Sequence, residues 1–287
     1  MGNSGTRVKK MNKQAEEVID DVAASPWMER IARFGYATKG VVYIVVGAMA
    51  ALAAVGLSGE TPDPGGALQE IETKPFGKVA LLTVAFGLIG YVAWRWIQAL
   101  ADADGKGKKL KGIAIRIGYF FSGVVYASLA YTAAKILFDV GDPDTSSETQ
   151  EFWIARVMTK PFGRTLVLMT GACVIGFGLY QIYKGLKAKF RKRLKLGEMN
   201  EAKDNWATWS GRIGYIARGI VFIIIGFFVL QAAMQFDPDK AKGLDEVLQT
   251  LLQNYYGAVA LGLVAFGLIA YGFYMLVEAR YRRIAGS

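Results

Sequence analysis

RIGYFFSGVVY, Arg116 to Tyr126, is the stretch from which the rest of the chain can be read. It has two relatives in the same chain, RFGYATKGVVY and RIGYIARGIVF. The first copy is marked by Arg33, Gly35, Tyr36 and Gly40, the second by Arg116, Gly118, Tyr119 and Gly123, and the third by Arg212, Gly214, Tyr215 and Gly219. Each copy opens a long apolar run. A period of this size is settled before any fold is assigned, and it makes the chain three related units laid end to end.

The apolar residues gather in six blocks, which we read as spans over 36–56, 79–100, 118–138, 164–184, 214–235 and 257–277. About 20 apolar residues cross the ~30 Å hydrocarbon layer as a helix. Lipid offers no partner to backbone N–H and C=O groups, so such blocks fold as helices. The expected fold is all-α: a polytopic membrane protein with six transmembrane helices, arranged as three parallel two-helix repeats about a pseudo-threefold axis. Glycine, 34 of 287 residues, exceeds the usual ~7% and lets helices approach closely. There is no histidine and one cysteine, Cys173. That excludes a His-ligated haem, a His-containing zinc site, a Ser-His-Asp triad and an intrachain disulfide. No catalytic, metal or cofactor residues are expected, and the chain is read as no enzyme.

Basic residues set the orientation. Segments 1–35, 101–117, 185–213 and 278–287 carry 22 Lys and Arg, against 6 in 57–78, 139–163 and 236–256. Both termini are therefore expected in the cytoplasm, with the protein in the bacterial inner membrane. The expected units are a cytoplasmic tail over 1–32, repeat 1 over 33–102, repeat 2 over 103–190, a basic linker over 191–211 and repeat 3 over 212–287. In the tail, Ala15, Val18, Ile19 and Val22 share one helical face, which Pro26 is expected to end. The loop from Lys184 to Lys195 is the most basic and suits anionic lipid headgroups at about 1 kcal/mol per residue. It carries one aromatic, Phe190, too few to read nucleic acid. The expected partners are membrane lipids, with a protein partner as a further option and no nucleic acid.

The second span of each unit repeats as well. Lys74-Pro75-Phe76-Gly77 returns as Lys160-Pro161-Phe162-Gly163, and Phe86-Gly87-Leu88-Ile89-Gly90-Tyr91 returns as Phe266-Gly267-Leu268-Ile269-Ala270-Tyr271. The third unit lacks the Lys-Pro, and the middle unit diverges around Cys173 and Gly176. Short helical patterns precede each second span, for example Leu244, Val247, Leu248 and Leu251. They are expected to cap the bundle. These motifs together resemble the bacterial domain of unknown function 1206 family over Arg33 to about Glu278. The resemblance implies six spans in three units and carries no chemistry.

Ionisable residues inside spans are functional candidates. Lys39, Arg95, Lys135, Arg164, Lys184 and Arg218 are expected to snorkel to the headgroups, and the tyrosines Tyr36, Tyr119, Tyr215, Tyr180 and Tyr274, with Trp94 and Trp96, to form an interfacial belt. Arg33, Arg116 and Arg212 read either as an anion-holding ring or as helix-end partners. Glu278, at the negative end of its helix, calls for a cation, and the expected ion pair is Glu278–Arg212, with Arg33, where the ring closes, as the other option. The function expected is that of a scaffold, partner subunit or lipid-interacting module. The alternative is a channel or facilitator for a small neutral or anionic solute.

Overall fold

The computed structural model describes residues 25–57, 63–107, 109–140, 146–253 and 255–283. In chain order the helices are α1 (Pro26–Ala54), α2 (Pro64–Glu72), α3 (Gly77–Leu100), α4 (Leu110–Phe138), α5 (Ser146–Met158), α6 (Gly163–Leu186), α7 (Glu201–Gln235), α8 (Leu244–Leu252) and α9 (Gly257–Tyr281). Helices α1, α3, α4, α6, α7 and α9 are the six long and apolar enough to cross a membrane. Each unit is thus a long, a short and a long helix, and the short ones fall where the apolar spacing placed them.

Three long helices start well before the predicted spans, at Pro26, Leu110 and Glu201. Pro26 sits in the first turn of α1, whose cap Ser25 accepts a hydrogen bond from the Met28 N–H at 3.2 Å. Proline suits that turn because its missing N–H would be unpaired there anyway. Asn200 caps α7 by accepting from the Lys203 N–H at 3.0 Å. Residues 201–211, expected as linker, are therefore helix, with Ala207, Ser210 and Gly211 buried. The tail face of Ala15, Val18, Ile19 and Val22 lies outside the described residues.

The Phe-Gly elbow has a steric cause. Phe76 and Phe162 hold left-handed backbone, at φ 63° and 61°, and the N–H of Gly77 and Gly163 returns to the carbonyls of Lys74 and Lys160. A Cβ on Gly77, Gly163 or Gly257 would lie 2.0, 1.9 or 2.2 Å from a carbonyl oxygen ending the preceding short helix. Glycine is required in all three units, whereas the proline is absent from the third.

The ring is cyclic. Each unit's second helix packs on the next unit's first: α3 on α4, α6 on α7, and α9 on α1. The same edge-to-face ring pair marks each joint. Tyr91–Tyr126, Phe177–Phe222 and Tyr271–Tyr43 have centroids 4.7, 5.1 and 4.8 Å apart. Repetition of one contact by cyclic permutation is what a pseudo-threefold axis means. At two joints glycines meet backbone to backbone: a Cβ on Gly40 would lie 2.8 Å from the Gly272 oxygen, and one on Gly219 2.7 Å from the Gly178 oxygen. At the third, Gly123 lies under the Trp96 indole.

Inside the hairpins the symmetry breaks. Helices α1 and α3 pack together, as do α7 and α9, while α4 and α6 share no extended contact. A Cβ on Gly35 would meet the Tyr91 Cα at 2.7 Å, and one on Gly214 the Tyr271 Cα at 2.5 Å; around Gly118 there is nothing within 4 Å. The cause is two side chains. In the closed hairpins Thr38 presses on Gly87 and Ala217 on Gly267. The same positions of the middle unit hold Phe121 and Cys173, too bulky for that approach.

Both ends of the ring are covered. At the end bearing the basic segments, the turn Lys189–Arg193 inserts Phe190, fully buried, between Tyr215 and Tyr274 with centroids at 5.3 and 4.9 Å. The Lys195 N–H donates to the Tyr281 carbonyl at 2.8 Å, and the Arg283 N–H to the Arg193 carbonyl at 2.9 Å. At the opposite end Ala67 and Leu68 of α2 and Val247 and Leu248 of α8 are fully buried.

Candidate functional site

The polar heart of the molecule lies inside the ring. Lys39, near the middle of α1, is 2% exposed. Its Nζ donates to the Tyr91 hydroxyl at 3.1 Å and faces the rings of Tyr43, Tyr91, Tyr126 and Tyr271 at 4.7–5.8 Å. Arg218, at the same motif position on α7, donates to the Tyr271 hydroxyl at 2.8 Å. Arg95 donates to the Tyr91 hydroxyl and, at 3.0 Å, to Gln98 Oε1. Lys184 donates to the Tyr215 hydroxyl at 2.6 Å. Cation–π attraction strengthens in such desolvated surroundings. Among the described residues none of these four cations has a carboxylate within ion-pair distance.

Nearer the basic end lies a paired network. Arg282 donates to Glu278 at 2.9 Å, both side chains being 2% exposed, and reaches Asp104 at 3.5 Å. Asp104 also accepts from the Tyr119 hydroxyl at 2.7 Å and from Gln98 Nε2 at 2.9 Å, while Arg193 donates to Tyr119 at 3.2 Å. Burial by itself would push the Asp104 carboxyl up, but Arg282, Arg193 and the two hydrogen bonds outweigh it and hold the group well below the usual carboxylate range. The interior therefore sets six basic side chains (Lys39, Arg95, Lys184, Arg193, Arg218 and Arg282) against two carboxylates, Asp104 and Glu278. The hydroxyls of Tyr36 and Tyr274 and the Nε of Arg218 are buried there without a hydrogen-bond partner. Buried charges persist where they are paired, and this set has far more donors than acceptors. An oxyanion would complete it, since charge-assisted bonds from Lys, Arg and Tyr to an anionic oxygen are the strong kind.

The family described as Domain of Unknown Function (DUF1206) matches the chain three times, over residues 34–102, 117–188 and 213–282. The chain belongs to this family. An uncharacterized protein of Bacillus subtilis (strain 168), YxxB, is 39% identical over 259 residues, which is 90% of this chain and 93% of that protein. No solved structure matches the chain. Each DUF1206 match covers one hairpin with its elbow, so the hairpin is the unit that the family repeats.

Within each DUF1206 unit the motif residues have structural work. Arg33 donates to the carbonyls of Ala279, at 2.8 Å, and Arg280; Arg116 donates to those of Ala99 and Leu100, both at 2.7 Å. Both arginines thus satisfy the open carbonyls that end the preceding unit's second helix, rather than forming a ring around an anion. Arg212 instead lies near the Trp209 ring, at 5.9 Å. The expected Glu278–Arg212 pair is corrected to Glu278–Arg282: α9 continues to Tyr281, so Arg282 stands one turn on from Glu278. The tyrosine belt is corrected too. Tyr36, Tyr119, Tyr215 and Tyr274, with Trp94, turn inward, and Tyr180 remains exposed. Lys39 and Lys184 do not snorkel, because their helix faces point at the axis. Arg164 behaves as a helix-end partner, donating to the Ala233 and Met234 carbonyls.

Proposed function

We propose that this DUF1206 protein is a non-enzymatic membrane module that holds an anionic group inside its helix ring. The observation that carries this reading is the excess of six interior basic side chains over two carboxylates, together with the unpaired hydroxyls of Tyr36 and Tyr274. A solute channel fits less well, because both ends of the ring are covered, by Phe190 at one and by Leu68 and Leu248 at the other. The excess of basic residues in the segments around 101–117 and 185–213 supports cytoplasmic termini in a bacterial inner membrane. A reporter active only outside the cytoplasm, fused after Ser287, is then silent; activity there sinks the orientation.

The binding reading is tested by thermal unfolding in mild detergent. Anionic phosphatidylglycerol or inorganic phosphate should raise the Tm of the parent by several degrees, and zwitterionic phosphatidylcholine should not. The double variant Lys39→Met, Arg218→Met should lose the anion response. The same Tm under all additives overturns the reading.

A further inference from the structure

We infer that the bound anion is the headgroup of a membrane phospholipid that enters sideways, with its acyl chain lying in the groove between α4 and α6. This rests on the interior anion site proposed above. The groove is a vacated hairpin interface. Val42 and Val221, buried to 1% and 4%, pack inside their hairpins, while Val125 at the same motif position is 63% exposed. Phe121 beside it is 62% exposed, and Cys173 on the facing helix is exposed. Gly118 and Gly176, which repeat the positions of the packed glycines Gly35 and Gly90, have nothing within 4 Å. The middle unit therefore keeps the apolar packing surface of its siblings without the helix that would cover it.

What lies behind the groove distinguishes it from ordinary lipid-facing surface. Its wall on α4 includes Tyr126, whose inner side faces the Lys39 Nζ at 4.7 Å. Its wall on α6 includes Phe177, paired with Phe222, and Phe222 faces the Arg218 guanidinium at 5.0 Å. One layer of aromatic side chains thus separates the groove from each cation. The groove's own unit places Ser122 and Phe177 where the closed hairpins place a basic side chain and a tyrosine, so these two positions carry no charge. Phe190 covers one end of the ring, and α2 and α8 cover the other, leaving the side as the route. Apolar chain outside and anion inside is the chemistry of an anionic phospholipid. A second copy of this chain fits the apolar wall, but at a formal charge of +10 it supplies no anionic complement.

The test is native mass spectrometry of the full chain in mild detergent, with phosphatidylglycerol, phosphatidylcholine and inorganic phosphate as probes. The parent should carry phosphatidylglycerol at least ten-fold in preference to phosphatidylcholine. Gly176→Trp fills the groove where there is open space, so it should melt like the parent and lose bound phosphatidylglycerol ten-fold or more. Lys39→Met should instead keep a bound lipid and lose the preference for the anionic one. If Gly176→Trp binds phosphatidylglycerol like the parent while Lys39→Met does not, the interior site stands and the lateral route is wrong. If Lys39→Met keeps the full preference, also when combined with Arg218→Met, the interior site itself is wrong. A parent that binds inorganic phosphate but no phosphatidylglycerol, or that appears as a dimer which Gly176→Trp dissolves, overturns the lipid assignment.

Discussion

The first hairpin and the middle hairpin begin from nearly the same text, RFGYATKGVVY and RIGYFFSGVVY, and end differently. In the first, Gly35 lies against the Tyr91 backbone and Val42 is 1% exposed; in the second, Gly118 faces open space and Val125 is 63% exposed. The motif therefore does not by itself close a hairpin. Closure needs a small residue on each side of the crossing, Thr38 over Gly87 or Ala217 over Gly267, and Phe121 with Cys173 withdraws it. Two further differences in the same unit remove a basic side chain and its tyrosine: Ser122 and Phe177 stand where the first unit has Lys39 and Tyr91. One change of packing and one change of polarity coincide in the same unit.

The largest expected effect breaks the comparison at its motif glycine. Gly214→Leu forces a side chain into the Tyr271 backbone, whose Cα would lie 2.5 Å from the new Cβ. Rigid overpacking of that kind costs about 3 kcal/mol or more. Gly118→Leu meets nothing and should be neutral or slightly stabilising, since leucine exceeds glycine in helix propensity by up to ~1 kcal/mol. Thermal unfolding in detergent checks both. Equal losses at the two sites would mean that the middle hairpin is closed after all.

Next comes the buried pair. Glu278→Gln removes the carboxylate facing Arg282 and leaves a guanidinium that is 2% exposed, with Asp104 at 3.5 Å as its remaining acid. Breaking a buried pair typically costs 3–5 kcal/mol; the Asp104 contact puts the expectation at about 3 kcal/mol. Gln98→Met, at the equivalent position of the first unit, should cost less, because it deletes hydrogen bonds and no charge. A Glu278→Gln variant that melts like the parent would remove the pair from the account of stability.

A smaller effect is pH dependence. Asp104 has a folded pKa below its unfolded value of about 3.9. Its contribution is thus in full above that value and is lost as pH falls through and below it. The parent should lose stability between about pH 5 and pH 3 more steeply than Asp104→Asn. Parallel curves would show that the carboxylate titrates as it does in the unfolded chain.

Smallest is the reciprocal exchange. Cys173→Gly should shift stability by no more than the ~1 kcal/mol that a helix-interior glycine costs, because Cys173 is exposed. Gly87→Cys at the matching position should cost clearly more, since any Cβ there lies 1.8 Å from the Thr38 hydroxyl oxygen. Similar losses for the two would erase the distinction between the hairpins.

Much of this was legible in the residues. Span number and the short helices followed from apolar length and periodicity, which act locally. The inward turn of Lys39 and Arg218 did not, because distance from a span end says nothing about which helix face points to the axis. Aligning the units at Lys39, Ser122 and Arg218, and at Gln98, Lys184 and Glu278, would have raised it: polar residues at one position in all three units favour a shared interior face. A span ending at 277 hides the one-turn spacing from Glu278 to its partner Arg282. The open hairpin rests on Phe121 and Cys173 standing where the sibling hairpins cross, which shows only once that crossing is known.

The joint of α9 on α1 has a consequence for how the protein is made. Gly40 and Gly47, early in the chain, meet Gly272 and Ala265, close to its end. At a synthesis rate of ~5–20 residues per second, the first helix waits on the order of tens of seconds for the surface that covers it. Ring closure is thus a late event of biogenesis, and a chain stalled before the last helix presents a bare glycine seam to whatever insertion factor or quality-control protease is nearby.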